Sequence, residues 1–179
     1  TSMSRLSWLQ KTYWTRIAKP LEERELFRQL VNRPEDSILE VGVGDGRRMQ
    51  RIATLVQVSD AAQGLRYIGI DEFESARDAN RHLSLKQAHQ LAKQLGFKAS
   101  LIPGETASAI PRVAHKMGAS DLLIIDGGLD PSQPLDGFIG GWLNRLAHDQ
   151  SVVLACSQPG GMLAVVDSSR LELPRREAA

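Results

Sequence analysis

The chain has 179 residues, 42% of them hydrophobic, enough for one domain with a sizeable core. Its 22 basic and 21 acidic residues leave a formal net charge of +1, so no global charge draws it to nucleic acid or to an anionic membrane. One cysteine, Cys156, excludes an internal disulfide and fits a reducing cytoplasm, and no apolar run has the length of a membrane span or a secretory core.

In chain order, the spacing of Leu6, Leu9, Tyr13 and Ile17 predicts a helix over Arg5 to Ala18. Pro20 suits the first turn of a second helix, Leu21 to Asn32, which Pro34 stops. Ser37 to Val41 is a short apolar run that predicts a buried parallel strand, with a helix over Arg47 to Val58 behind it. Arg66 to Ile70 is a second strand ending at Asp71, and Glu74 to Leu95 is expected to be helical up to Gly96. Phe97 to Ile102 is the third strand, followed by a helix from Thr106 to Met117. Asp121 to Ile125 is the fourth, ending at Asp126. Beyond a polar loop, Gly137 to Cys156 is expected to be mostly helical, with Met162 to Val166 as the fifth strand, ending at Asp167. Strands alternating with helices imply a parallel sheet covered on both faces, with ligands bound beyond the carboxyl ends of its strands.

The most informative stretch is Glu40-Val41-Gly42-Val43-Gly44-Asp45-Gly46. Glycines between a strand and a helix let the chain turn sharply and bring main-chain N–H groups close to a ligand, and the helix N-terminus favours a carboxylate or phosphate there. The dinucleotide fingerprint needs G-x-G-x-x-G, and here the third glycine comes one residue early. E-x-G-x-G-x-G after a strand resembles motif I of the class I S-adenosylmethionine (SAM)-dependent methyltransferases. Pro159-Gly160-Gly161 before an apolar run is similar to that superfamily's segment ahead of strand five. The resemblance covers roughly Ser37 to Val166.

It implies an α/β, three-layer Rossmann-like fold with a mostly parallel sheet of about five strands in the order 3-2-1-4-5, lacking the usual C-terminal strand pair. Residues 1–36 would be an N-terminal helical segment, 37–168 the SAM-binding domain and 169–179 a tail. Gly42, Gly44 and Gly46 would shape the methionine end of the cofactor site, with Glu40 orienting its amino group directly or through water. Asp71 would hold the ribose diol, and Glu105, in Gly104-Glu105-Thr106, would border the adenine. Phe73 is either a stacking surface for adenine or a core residue. Asp126 is the candidate for a polar substrate-side or catalytic role. Metal-dependent catechol-type relatives hold a divalent cation on aspartates after strands four and five, here Asp126 and Asp167; Ser168 stands where they have Asn, which argues against the metal.

The expected function is methyl transfer from SAM to a small-molecule acceptor in the cytoplasm, with no membrane or nucleic-acid partner indicated. The alternatives are a truncated fold that binds SAM or a partner without turnover, and, through Asp126-Gly-Gly-Leu-Asp130-Pro131, an aminopropyl-transfer relative similar to spermidine synthases. His82, His89, His115 and His148 fall on predicted helices away from the strand ends. Arg47, Arg48 and Arg51 are taken as a solvated helix face. With little chain after the fifth strand, its outer edge would need a homodimer partner or the N-terminal segment to cover it.

Overall fold

The computed structural model describes residues 7–33, 35–58, 64–135, 137–167 and 169. Six strands form one sheet: β1 Ser37–Val41, β2 Arg66–Asp71, β3 Lys98–Pro103, β4 Leu122–Asp126, β5 Val152–Cys156 and β6 Ala164–Val165. Their spatial order is β3-β2-β1-β4-β5-β6, with the first five parallel and β6 antiparallel to β5. The expected 3-2-1-4-5 order is therefore present.

Its fifth member is not the segment expected. Val152–Cys156, expected to be helical, is a continuous apolar run that the sheet pairs between β4 and β6. The helix before it is short, a 3-10 turn at Gly140–Trp142 leading into α6, Leu143–Leu146. Met162 to Val166 thus supplies the antiparallel β6 in place of a parallel fifth strand, and Pro159-Gly160 follows β5 where it was expected to precede it. One short antiparallel strand is present where none was expected. The Leu163 N–H donates to the Glu22 carbonyl at 2.9 Å, so the N-terminal segment also reaches this side of the sheet.

Two core clusters flank the sheet. One packs α2 (Arg24–Asn32), α3 (Arg47–Val58) and α4 (Leu85–Gln94) on Ile38, Tyr67, Leu122, Ile124 and Leu154. The other packs α5 (Thr106–Lys116) and α6 on Leu39, Val41, Ile68, Leu123 and Val153. Alternate residues of each strand point to opposite clusters, which is why the strands read as unbroken apolar runs. Leu26, Phe27 and Leu30 of α2 belong to the first cluster, so this part of the N-terminal segment shares the sheet's core.

The first helix departs from expectation. α1 runs Trp8–Thr12 and continues as a π-helical turn, Tyr13–Ile17. The stripe read as its buried face is exposed at Leu9, Tyr13 and Ile17, while Trp14 meets the Phe27 ring edge-on at 5.5 Å. Leu6 lies outside the described residues. No described helix is long and apolar enough to cross a membrane.

Candidate functional site

A cleft of about 920 Å³ opens over the carboxyl ends of β3, β2, β1 and β4, within the ~300–1,000 Å³ range of small-molecule sites. Gly42, Gly44, Asp71, Gly104, Thr106, Asp126, Pro159 and Gly160 line it, so the predicted residues Gly42, Gly44, Asp71 and Asp126 converge there. The glycine loop forms because its backbone takes left-handed values, φ +91° at Gly42 and +77° at Gly46. A Cβ on Gly42 would lie 3.1 Å from the Asp126 Cβ. One on Gly46 would lie 2.7 Å from both Leu83 Cδ1 and Leu91 Cδ2. Gly46 is therefore a packing glycine, set back from the cleft, where it had been expected to touch the ligand.

Asp71 is brought against the glycine loop, as the sequence suggested, but its carboxylate is engaged. Oδ2 accepts the Gly44 N–H at 2.8 Å, Oδ1 accepts the Phe73 N–H at 2.7 Å, and His82 Nδ1 lies 2.7 Å from Oδ1. The predicted helix from Glu74 to Leu95 is broken to make this arrangement. It becomes 3-10 turns at Phe73–Ser75 and Ala79–Arg81, then α4. A capping box, Ser84 with Gln87, starts α4, and the Leu83 N–H donates to the Gly44 carbonyl at 2.9 Å. Residues 79–83 therefore strap the glycine loop, and Asn80, Arg81 and His82 line the cleft. His82 had been placed on a helix remote from the strand ends. The S-x-x-Q box was the signal that a helix begins only at Leu85.

Two other expectations are corrected, and the choice left open at Phe73 is decided for the core. Phe73 has φ +52° and a ring at 0% exposure in the core, so it offers no face to adenine. Glu40 is also at 0% exposure, turned away from the cleft; the Tyr67 hydroxyl donates to its Oε2 and Arg48 Nη1 to its Oε1 at 3.3 Å. Asp167 cannot share a cation with Asp126. Asp126 pairs with Cys156 at the end of β5, whereas Asp167 follows β6, whose antiparallel direction carries it to the opposite end of the sheet. Asp167 Oδ1 instead accepts bonds from Ser169. Ser168 lies outside the described residues, and among the described residues no cluster of three potential metal ligands occurs. Glu105 is exposed at the N-cap of α5, between the cleft residues Gly104 and Thr106.

Arg48 organises the floor of the site. Its Nε donates to Glu23 Oε1 at 3.0 Å, Nη1 to Glu40 and Nη2 to Asp126 Oδ2 at 3.0 Å. Arg51 donates twice more to Glu23, at 2.6 Å each. Burial favours loss of the Arg48 proton, but the three carboxylates outweigh it and hold the guanidinium charged. Burial also pushes the Glu40 carboxyl up to about 7, against the pull of Arg48 and the Tyr67 hydrogen bond. Arg48, expected on a solvated helix face, is buried. Its spacing from the buried Ile52 and Leu55 on α3 puts it on the apolar face. Asp126 closes the far side, where Oδ1 accepts the Gly160 N–H at 2.7 Å and lies 3.3 Å from Cys156 Sγ. Burial and Asp126 raise the Cys156 thiol above its usual range, as expected of a structural cysteine.

No known family model matches the sequence, and no curated protein sequence does. Solved structures do. A Staphylococcus aureus protein assigned as a caffeoyl-CoA O-methyltransferase matches with TM-score 0.49 and 20% identity over 87% of this chain and 66% of its own. A Plasmodium falciparum protein assigned as a protein-L-isoaspartate O-methyltransferase, solved with S-adenosyl-L-homocysteine, matches with TM-score 0.52 and 14% identity over 83% of this chain and 65% of its own. The chain thus spans just under two thirds of the length of each. With the strand order and the position of the cleft, the Plasmodium likeness shows that this chain has the Rossmann-like fold of the SAM-dependent methyltransferases.

Proposed function

We propose that the cleft binds S-adenosylmethionine and that the protein transfers its methyl group to a small-molecule acceptor. The observation that carries this reading is the continuity of the cleft across neighbouring strand ends, from Gly104 and Thr106 past Asp71 and Gly42 to Asp126 and Gly160. An extended adenosyl amino acid fits that path. The adenine lies by Gly104, Glu105 and Thr106, the ribose by Asp71 and the aminoacyl end over Gly42 and Gly44. The methyl group then points toward Asp126 and the Pro159-Gly160 turn, where the acceptor enters. S-adenosyl-L-homocysteine bound to the Plasmodium protein supports this ligand class.

Methyl transfer is a direct displacement. The acceptor's oxygen or nitrogen forms the new bond to the methyl carbon, and the carbon–sulfur pair leaves with sulfur. The protein's contribution is alignment. In this reading Asp126 sets the position of the Pro159-Gly160 wall through its bond to the Gly160 N–H. Arg48 holds the other Asp126 oxygen.

A second reading is a module that binds the nucleoside without turnover. It is favoured by the Asp126 carboxylate, both of whose oxygens already accept hydrogen bonds from the protein. Incubation with methyl-tritiated SAM and pooled catechols, carboxylic acids and amines separates the two. Labelled product supports transfer. Calorimetric binding of S-adenosylhomocysteine with no labelled product supports the module, and no binding at millimolar ligand rejects both.

A further inference from the structure

The Asp71 side chain is 2% exposed with both oxygens already accepting hydrogen bonds, whereas the His82 ring beside it in the cleft lining is 28% exposed. A carboxylate only accepts, so the proton of the 2.7 Å contact belongs to His82 Nδ1. In the neutral ring Nε2 then carries a lone pair. Nε2 makes no hydrogen bond among the described residues, and the imidazole lines the cleft beside Asn80 and Arg81. The ring is held from two sides. Asp71 fixes its tautomer, and the next residue, Leu83, is tied by its N–H to the Gly44 carbonyl.

We infer that His82 Nε2, rather than the Asp71 carboxylate, makes the ribose contact, accepting a hydrogen bond from a ribose hydroxyl of the adenosyl ligand. Asp71 is the positioning residue behind it. This rests on the reading of the cleft as an adenosyl site. The chemistry is that of an aspartate–imidazole pair in which the acid orients the ring and the far nitrogen meets the ligand. Its ligand class is a nucleoside with a free ribose diol.

The test is calorimetry of the wild-type protein and His82→Ala with S-adenosylhomocysteine and with its 2′-deoxy and 3′-deoxy analogues. Loss of one hydrogen bond predicts about three- to tenfold weaker binding of the parent ligand by the variant. One of the two analogues should bind wild type and variant within about twofold, because the hydroxyl that His82 would accept from is already gone. His82→Phe repeats the measurement with ring volume kept, should His82→Ala fail to fold. Equal binding of the parent ligand by variant and wild type overturns the inference and leaves the adenosyl site standing. An equal loss for all three ligands also overturns it, since that is the mark of a structural role. A wild-type protein that ignores all three at millimolar concentration overturns the adenosyl site itself, and the inference with it.

Discussion

Replacing Glu40 by Gln should change how stability depends on pH. Burial raises the Glu40 carboxyl from its ordinary 4.5 to about 7, so between those values the folded chain holds a proton that the unfolded chain releases. An acid shifted upward contributes fully below pH 4.5, and its contribution is lost as pH rises toward 7. At about 1.4 kcal/mol for each tenfold change in proton affinity, ionising Glu40 costs the fold about 3 kcal/mol by pH 8. A glutamine keeps the shape of the neutral acid and an oxygen for Arg48 Nη1, and it never ionises. Urea unfolding of both proteins from pH 4.5 to pH 8 isolates the effect, because other titrating groups largely cancel in the difference. Glu40→Gln should gain about 3 kcal/mol on wild type across that range, most of it below pH 7. A difference that stays flat within about 0.5 kcal/mol would refute the argument. It would mean that Arg48 and Tyr67 compensate the burial of Glu40 in full.

Two further substitutions test the packing around the cleft. Arg48→Met removes the cation shared by Glu23, Glu40 and Asp126. It should destabilise the protein by about 3–5 kcal/mol, because carboxylates are left buried without their partner; a loss under about 1 kcal/mol in urea melts would show that the network is open to water. Gly46→Ala places a methyl group 2.7 Å from Leu83 Cδ1 and Leu91 Cδ2 at a φ of +77°. It should lower stability by about 1–3 kcal/mol and loosen the strap, seen as faster amide exchange at Leu83. Unchanged stability and exchange would count against the strap being fixed by this packing.

Much of the sheet was legible because a strand buried on both faces is an unbroken apolar run, as in Ile38-Leu39 and Leu122-Leu123-Ile124-Ile125. The same signal misled at Val152 to Cys156, since an apolar run beside a short helix fits either state until a neighbouring strand claims it. Missing that strand displaced the fifth one, and Asp167 was carried to the wrong end of the sheet. In the site, glycines and strand-end acids were legible from backbone chemistry. The side-chain partners were not, because they depend on tertiary placement. Glu40 turned inward to Arg48 and Tyr67, and His82 was delivered by a strap that the helical periodicity of its surroundings concealed.

The central claim is that one continuous cleft over the carboxyl ends of the strands receives an adenosyl ligand. Amide chemical-shift mapping with S-adenosylhomocysteine tests it most directly. The amides of Gly42, Gly44, His82, Glu105 and Thr106 should move together with a single saturation curve, while those of Ser37, Asp121 and Ser151, at the opposite ends of the strands, stay in place. Shifts confined to that opposite end, or none at millimolar ligand, would contradict the claim.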